Sequence, residues 1–179
     1  MAPSPVIYIE MQEKSFRNDI LPLKDKLFRL ALRITLDRAE AEDVVQDTMI
    51  RVWSKRDEWE KLDSIEAFCF TIARNLAIDR SQKMDANHAQ ITPEMENKED
   101  ASQPFDQMAK DEQMQIIHHL VNSLPEKQRT ILQLRDIEEK NYKEIAEIVH
   151  ESEDYVKVNL FRARQKVKQG YLKINEYGL

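Results

Sequence analysis

Apolar residues along the chain recur at helical rather than alternating spacing, and they fall into two groups of segments. From Ile20 to Thr35, Leu23, Leu27, Leu30, Ala31 and Ile34 make one apolar face, with Pro22 marking the helix start or a kink. Asp37-Arg-Ala-Glu40 has the form of a capping box, and Ala41, Val44, Val45, Thr48, Met49 and Val52 follow as a buried stripe. The opposite arc of that helix holds Asp43, Gln46, Asp47 and Ile50 at i, i+3, i+4 and i+7, with Trp53 at its border. Such a strip is either a solvated face or a partner surface; a purely solvated face would not need Ile50 at its end. A second box, Asp63-Ser-Ile-Glu66, starts a helix with Ile65, Phe68, Cys69, Ile72, Ala73 and Leu76 on its core side. Thr71, Arg74, Asn75, Ile78 and Asp79 are left toward other surfaces.

The second group begins with a helix over 125–136, with Ser123 near its cap and Pro125 in its first turn. Ile131, Leu132 and Leu134 form its apolar side. Asn141-Tyr-Lys-Glu144 is a third capping box, leading into a short helix through Ile145, Ala146, Ile148 and Val149. After a break at His150-Glu151, Ser152 caps a longer helix whose first turn carries Glu153 and Asp154, where the helix dipole favours negative charge. On that helix Val156, Leu160, Ala163 and Val167 share an arc of about 60°, while Tyr155, Val158, Asn159, Arg162 and Lys166 lie on another. A short helix, a tight turn and a longer basic helix make a helix-turn-helix, whose second helix enters a major groove.

Composition narrows the class. Two glycines and six prolines among 179 residues argue against an all-β sandwich or barrel, and Gly170 and Gly178 alone cannot build a phosphate-binding loop. The expected fold is all-α. The single cysteine, Cys69, sits between Phe68 and Phe70 as a buried thiol suited to a reducing compartment. His88, His118, His119 and His150 show no metal-ligand spacing, so neither metal nor cofactor is expected. No stretch approaches the roughly 18 apolar residues of a membrane span, which suggests a cytoplasmic protein without membrane insertion.

The net charge of −6 is concentrated rather than spread, because residues 85–113 carry two basic and eight acidic groups. With Pro93, Pro104, Asn87, Asn97 and Ser102 and few large apolar residues, that stretch reads as an acidic flexible linker. The organisation expected is two small helical domains, 10–84 and 114–175, on either side of it. From Tyr155 to Ile174 there are six basic residues and no acidic one, an electrostatic footprint for nucleic acid.

Two motifs carry a family resemblance. The C-terminal runs Leu-Pro-Glu-Lys-Gln-Arg (124–129), Tyr-Lys-Glu-Ile-Ala (142–146) and Ser-Glu-Asp-Tyr-Val-Lys-Val-Asn-Leu-Phe-Arg-Ala-Arg (152–164) resemble the promoter-reading domain of extracytoplasmic-function sigma factors. These are two-domain initiation subunits of bacterial RNA polymerase. Ala-Glu-Asp-Val-Val-Gln-Asp-Thr-Met-Ile-Arg-Val-Trp (41–53) resembles the same family's core-binding helix, which docks on a basic coiled coil of the polymerase's largest catalytic subunit. The resemblance spans roughly residues 16–84 and 114–173, about seven-tenths of the chain.

The resemblance implies three sets of site residues. Asp43, Gln46, Asp47, Ile50 and Trp53 would bind core polymerase, with carboxylates meeting arginines and the apolar pair giving anchorage. Ile-Ala-Arg-Asn-Leu-Ala-Ile-Asp-Arg (72–80) is similar to the helix that captures the opened minus-ten strand, which brings in Arg74, Asn75, Asp79 and Arg80. The preceding loop, 57–63, would receive a flipped base, and Trp59 either stacks on it or packs at a domain edge. Ser152, Glu153, Tyr155, Lys157, Asn159, Arg162 and Lys166 would face the minus-thirty-five element. An anti-sigma factor is implied as a further partner.

Two departures stand out: Glu151 follows His150 where the family often has glycine, and Ser81-Gln-Lys83-Met-Asp85 replaces a run of basic residues. The nearest rival is a helix-turn-helix regulator that binds operator DNA without being a polymerase subunit. An enzyme built on Glu40, Asp43 and Asp47 is more distant, since these lie on an outward arc with no Glu-x-x-His spacing.

Overall fold

The computed structural model describes residues 13–89 and 112–177, and all regular structure in them is helical. The segment expected as a linker lies mostly outside the described residues. Its two ends, 85–89 and 112–113, are helical, so the flanking helices reach further than composition suggested. In chain order the helices are α1 (Lys24–Thr35), α2 (Arg38–Ser54), α3 (Ile65–Ala89), α4 (Glu112–Asn122), α5 (Glu126–Leu132), α6 (Tyr142–Val149) and α7 (Glu153–Tyr177). Short helical turns at Phe16–Ile20, Leu21–Leu23, Arg56–Lys61 and Gln133–Ile137 join them. α1, α2 and α3 pack on one another, and α4, α5 and α6 pack around α7.

The caps explain where the chain turns. Pro22 lies in the first turn of the Leu21–Leu23 segment, which leads directly into α1. Asp37 accepts from the Glu40 amide at 2.9 Å, and Ser64, not Asp63, accepts from the Ala67 amide at 3.0 Å. The first box is half-formed, because the Glu40 carboxylate turns to Arg80; the Asp63/Glu66 box does not form, since the cap is Ser64 and the Glu66 carboxylate pairs with Lys26 and Lys140. The Asn141/Glu144 box is complete, with both bonds at 2.9 Å. Ser123 does not cap α5: its hydroxyl donates back to the Leu120 carbonyl, and Pro125 occupies the cap position. α6 ends with His150 in the left-handed region at φ 56°, a conformation glycine adopts without strain.

The two halves share one continuous apolar cluster, joined where α3 meets α6 and α1 meets α5. Around it lies a ring of charged contacts. The Arg29 guanidinium donates twice to the buried Glu138 carboxylate, at 2.9 and 2.8 Å, and Gln133 donates to the same group at 3.2 Å. Lys140, also buried, pairs with Glu66 and stands 5.2 Å from the centre of the Phe70 ring. Arg74 of α3 reaches Glu126 of α5 at 3.2 Å. At the centre is Arg33, only 3% exposed, donating to Gln133 Oε1 at 2.9 Å and Asn122 Oδ1 at 2.8 Å, with His118 Nδ1 at 3.3 Å. Burial, and then the nearby Arg129 charge, pull Arg33 down to about 10, so it stays cationic at neutral pH.

This arrangement makes α3 a helix buried on two sides. Ala67, Phe70, Arg74 and Ala77 are enclosed along with the expected Cys69, Ala73 and Leu76. Cys69 is sealed in accordingly, and burial followed by the Glu66 charge pushes its thiol up to about 12. Glu138→Ala should lower stability in urea denaturation by about 2–4 kcal/mol, since it strands Arg29 and Gln133 beside a cavity. Glu66 is opposed in sign: burial raises its pKa, but Lys140 and Lys26 together hold it below its ordinary value. A depressed carboxylate stabilises above its unfolded pKa and loses that contribution as pH falls through the folded one. Acid titration of the wild type should therefore show a loss of stability below the ordinary carboxylate range that Glu66→Gln lacks.

Candidate functional site

Along α2 the expected strip is presented as a face. Asp43, Gln46, Ile50 and Trp53 are exposed and Asp47 is partly so, while Ala41, Val44, Val45, Thr48 and Val52 are buried behind them. Ile50 is 67% exposed and Trp53 50%, unusual for residues of this size on a packed helix. Phe16 meets the Trp53 ring edge-on at 5.6 Å, and with Met49 these side chains line a shallow apolar depression of about 400 Å³. Its acidic end carries a cation of the chain's own, because Arg80 of α3 lies against Glu40, Asp43 and Asp47.

The residues expected at the minus-ten strand are split between settings. Asn75 and Asp79 are exposed on α3. Trp59 is 5% exposed, and its indole N–H donates to the Val52 carbonyl at 3.0 Å, so it packs the edge of the bundle rather than offering a stacking face. Arg74 is buried against Glu126, and Arg80 is engaged by the α2 carboxylates. Of the two alternatives for Trp59 the packed one is found, and Arg74 and Arg80, expected at the strand, are held in ion pairs within this structure.

α6, the His150–Ser152 turn and α7 form the helix-turn-helix. Ser152 Oγ accepts from the Tyr155 amide at 3.1 Å, and Glu153, Lys157, Arg162 and Lys166 project outward from α7. Tyr155 is half-buried with Lys127 5.3 Å above its ring. Asn159 departs from the outward position given it by the helical wheel. It is 8% exposed, donates to the Tyr155 carbonyl at 2.9 Å and accepts from Gln128 at 3.4 Å. Phe161, 64% exposed, and Val158 stand on the outer face instead. Phe161 was absent from the residues expected there, although a large apolar side chain off the core arc of a basic helix was the available signal. Arg164 is tied to Asp136 and held there through two hydrogen bonds.

Among the described residues no group of three or more His, Cys, Asp or Glu could hold a metal ion, and no helix is long and apolar enough to cross a membrane. The sequence profile of Sigma-70 region 2 matches residues 20–86, and that of Sigma-70 region 4 matches residues 114–167. The ECF RNA polymerase sigma factor SigW of Bacillus subtilis is 30% identical over 155 residues, covering 82% of this chain and 83% of that protein. The chain belongs to the ECF sigma factors. SigM of the same organism is 29% identical over 147 residues, covering 81% and 88%. In structure the chain is similar to the sigma factor RpoE from Bartonella quintana, solved in complex with the anti-sigma factor NepR. The TM-score is 0.68 at 24% identity, covering 89% of this chain and 97% of that one. CnrH, solved with the cytosolic domain of CnrY, gives 0.60 at 19% identity, covering 83% and 81%.

This sigma factor directs core RNA polymerase to promoters at transcription initiation. The match to region 2 sets aside a regulator that works without polymerase, since such a protein needs only the C-terminal half. The buried positions of two expected contacts are testable by stability. Trp59→Ala should cost about 3–5 kcal/mol in urea unfolding, as truncation of an enclosed aromatic does. Asn159→Ala should cost about 1 kcal/mol through its lost hydrogen bonds rather than alter base preference.

Proposed function

We propose that the α2 strip docks on a basic coiled coil of core polymerase, that α3 meets the opened minus-ten strand and that α7 reads the minus-thirty-five duplex. The observation that carries the first assignment is the joining of exposed Ile50 and Trp53 to Asp43, Gln46 and Asp47 on one helical face. An apolar anchor beside directed carboxylates is the pattern of an interface hot spot. For α7, Ser152, Glu153 and Lys157 lie in the first turns, where a recognition helix reaches base edges, and Arg162 and Lys166 lie where phosphates pass. Tyr155 contributes from a half-buried position, and Phe161 with Val158 offers contact to thymine methyl groups. Asn75 and Asp79 are the α3 positions best presented to a strand.

The working units in this reading are residues 10–84 and 114–175, joined by the acidic segment 85–113. Promoter elements centred about 25 base pairs apart are separated by about 85 Å of duplex. A compact chain of 179 residues has a radius of gyration of only about 16 Å. The halves must therefore part to read both elements, which frees Arg74 from Glu126 and returns it to the strand-facing side. An anti-sigma factor is the partner expected to hold the closed form. An apolar groove of about 380 Å³, lined by Met114, Ile117, Val121, Ile137 and Val167 with Lys168 and the Arg164–Asp136 pair at its rim, suits an amphipathic segment that brings an acidic group to Lys168. The protein acts in the cytoplasm and carries no catalytic group of its own.

Asp43→Arg or Gln46→Ala should weaken affinity for core polymerase in fluorescence anisotropy, by about 2–5 kcal/mol for the charge reversal. Unchanged affinity in both removes the strip from docking. On α7, Glu153→Ala should shift preference at one or two upstream promoter positions by about 1–3 kcal/mol. Lys166→Ala should instead weaken all promoters alike and lower the salt slope by about 1. Transcription of a promoter library at several salt concentrations separates the two.

A further inference from the structure

We infer that Arg80 is a positioning residue for polymerase docking, not a contact to the promoter strand. It lies one turn beyond Leu76 on α3, and its guanidinium crosses to α2, where Nη1 meets Glu40 at 2.8 Å and Nη2 meets Asp47 at 2.8 Å. Asp43 comes to 3.5 Å of Nη1. Its hydrogen bonds to Glu40 and then Asp47 raise the pKa of Arg80 above its already high value. Glu40 forgoes its half of the capping box to make this contact.

The chemistry of the strip explains why such a clamp matters. Glu40, Asp43 and Asp47 occupy i, i+3 and i+7 on one helix, so the three like charges repel and their rotamers spread unless a cation lies among them. Each carboxylate meets Arg80 through a single oxygen: Glu40 Oε2, Asp43 Oδ2 and Asp47 Oδ2. The other oxygen of each remains for a partner's basic group. Arg80 thus orders the array before docking, at the cost of one unit of its negative charge. A preformed array loses less side-chain entropy on binding. The trade has a kinetic signature: without Arg80 the strip attracts a basic surface more strongly at long range but holds it less well once bound.

This inference rests on the docking assignment of the strip, so both are measured together. Full-length chains carrying Arg80→Gln, Arg80→Lys or Asp43→Arg are bound to purified bacterial core RNA polymerase in stopped flow at low and moderate salt. Each assembled holoenzyme, at saturating core, is then titrated with single-stranded minus-ten DNA. For Arg80→Gln the expected result is association about two-fold faster at low salt and dissociation about ten-fold faster, with Arg80→Lys in between and strand affinity unchanged. Unchanged dissociation overturns the inference. So does slower association together with a lowered melting temperature, which would mean a purely structural tie between α2 and α3. Strand affinity lost in the holoenzyme with core kinetics intact would return Arg80 to the promoter. Asp43→Arg distinguishes the layers: if it leaves core affinity intact, the docking assignment itself fails, whatever Arg80 does.

Discussion

Arg33 carries a positive charge into an interface from which water is nearly excluded, and the groups around it are arranged to receive that charge. Gln133 and Asn122 present carbonyl oxygens to it, and Arg129, a like charge nearby, is turned to the carbonyls of Asn122 and Ile34. The cost of desolvating a guanidinium is large, and its hydrogen bonds repay it only when every donor is aimed. That requirement fixes the register of α1 against α4 and the Gln133–Ile137 turn. The neighbouring pairs Arg29–Glu138 and Lys140–Glu66 extend the same constraint outward.

These charged contacts, set around the apolar junction, are specific without being strongly cohesive. The Coulombic gain of a buried pair is nearly offset by desolvation, so the contacts choose one arrangement while adding little to the free energy of holding it. The proposed separation would return Arg29, Arg33, Lys140, Glu66 and Glu138 to water, where each is well solvated. A wholly apolar interface of the same extent would leave a sticky surface on each half once parted. For the parting of the halves proposed above, contacts of the first kind are better suited than those of the second.

The amphipathic pattern made the individual helices legible because period, caps and turn residues are local properties. The α2 stripe, the Asn141/Glu144 box, the break at His150 and the core arc of Val156, Leu160 and Ala163 follow from it directly. What escaped it was the second burial face of α3. Phe70 and Arg74 lie off the face that packs on α1 and α2, and only the docking of α5 and α6 encloses them. Asn159 escaped for a related reason: an amide near the edge of the core arc goes inward when a partner such as Gln128 is there to meet it. Long-range pairing of polar groups leaves no periodic trace in a sequence.

The same limit applies to the acidic clusters. Spacing alone marks Glu40 and Glu66 as capping residues, since each stands three positions after a cap candidate. In the fold both are drawn off by cations that arrive from distant parts of the chain, Arg80 at one and Lys140 at the other. A charge-assisted pair with a cation is stronger than a neutral amide contact at a helix start, so the tertiary partner wins wherever it is within reach. Glu144 pairs with no cation among the described residues and keeps its box intact. The diversion of Glu40 and Glu66 therefore marks where α2 and α3 are tied to other elements, and the complete box marks α6, the first helix of the helix-turn-helix, as locally determined.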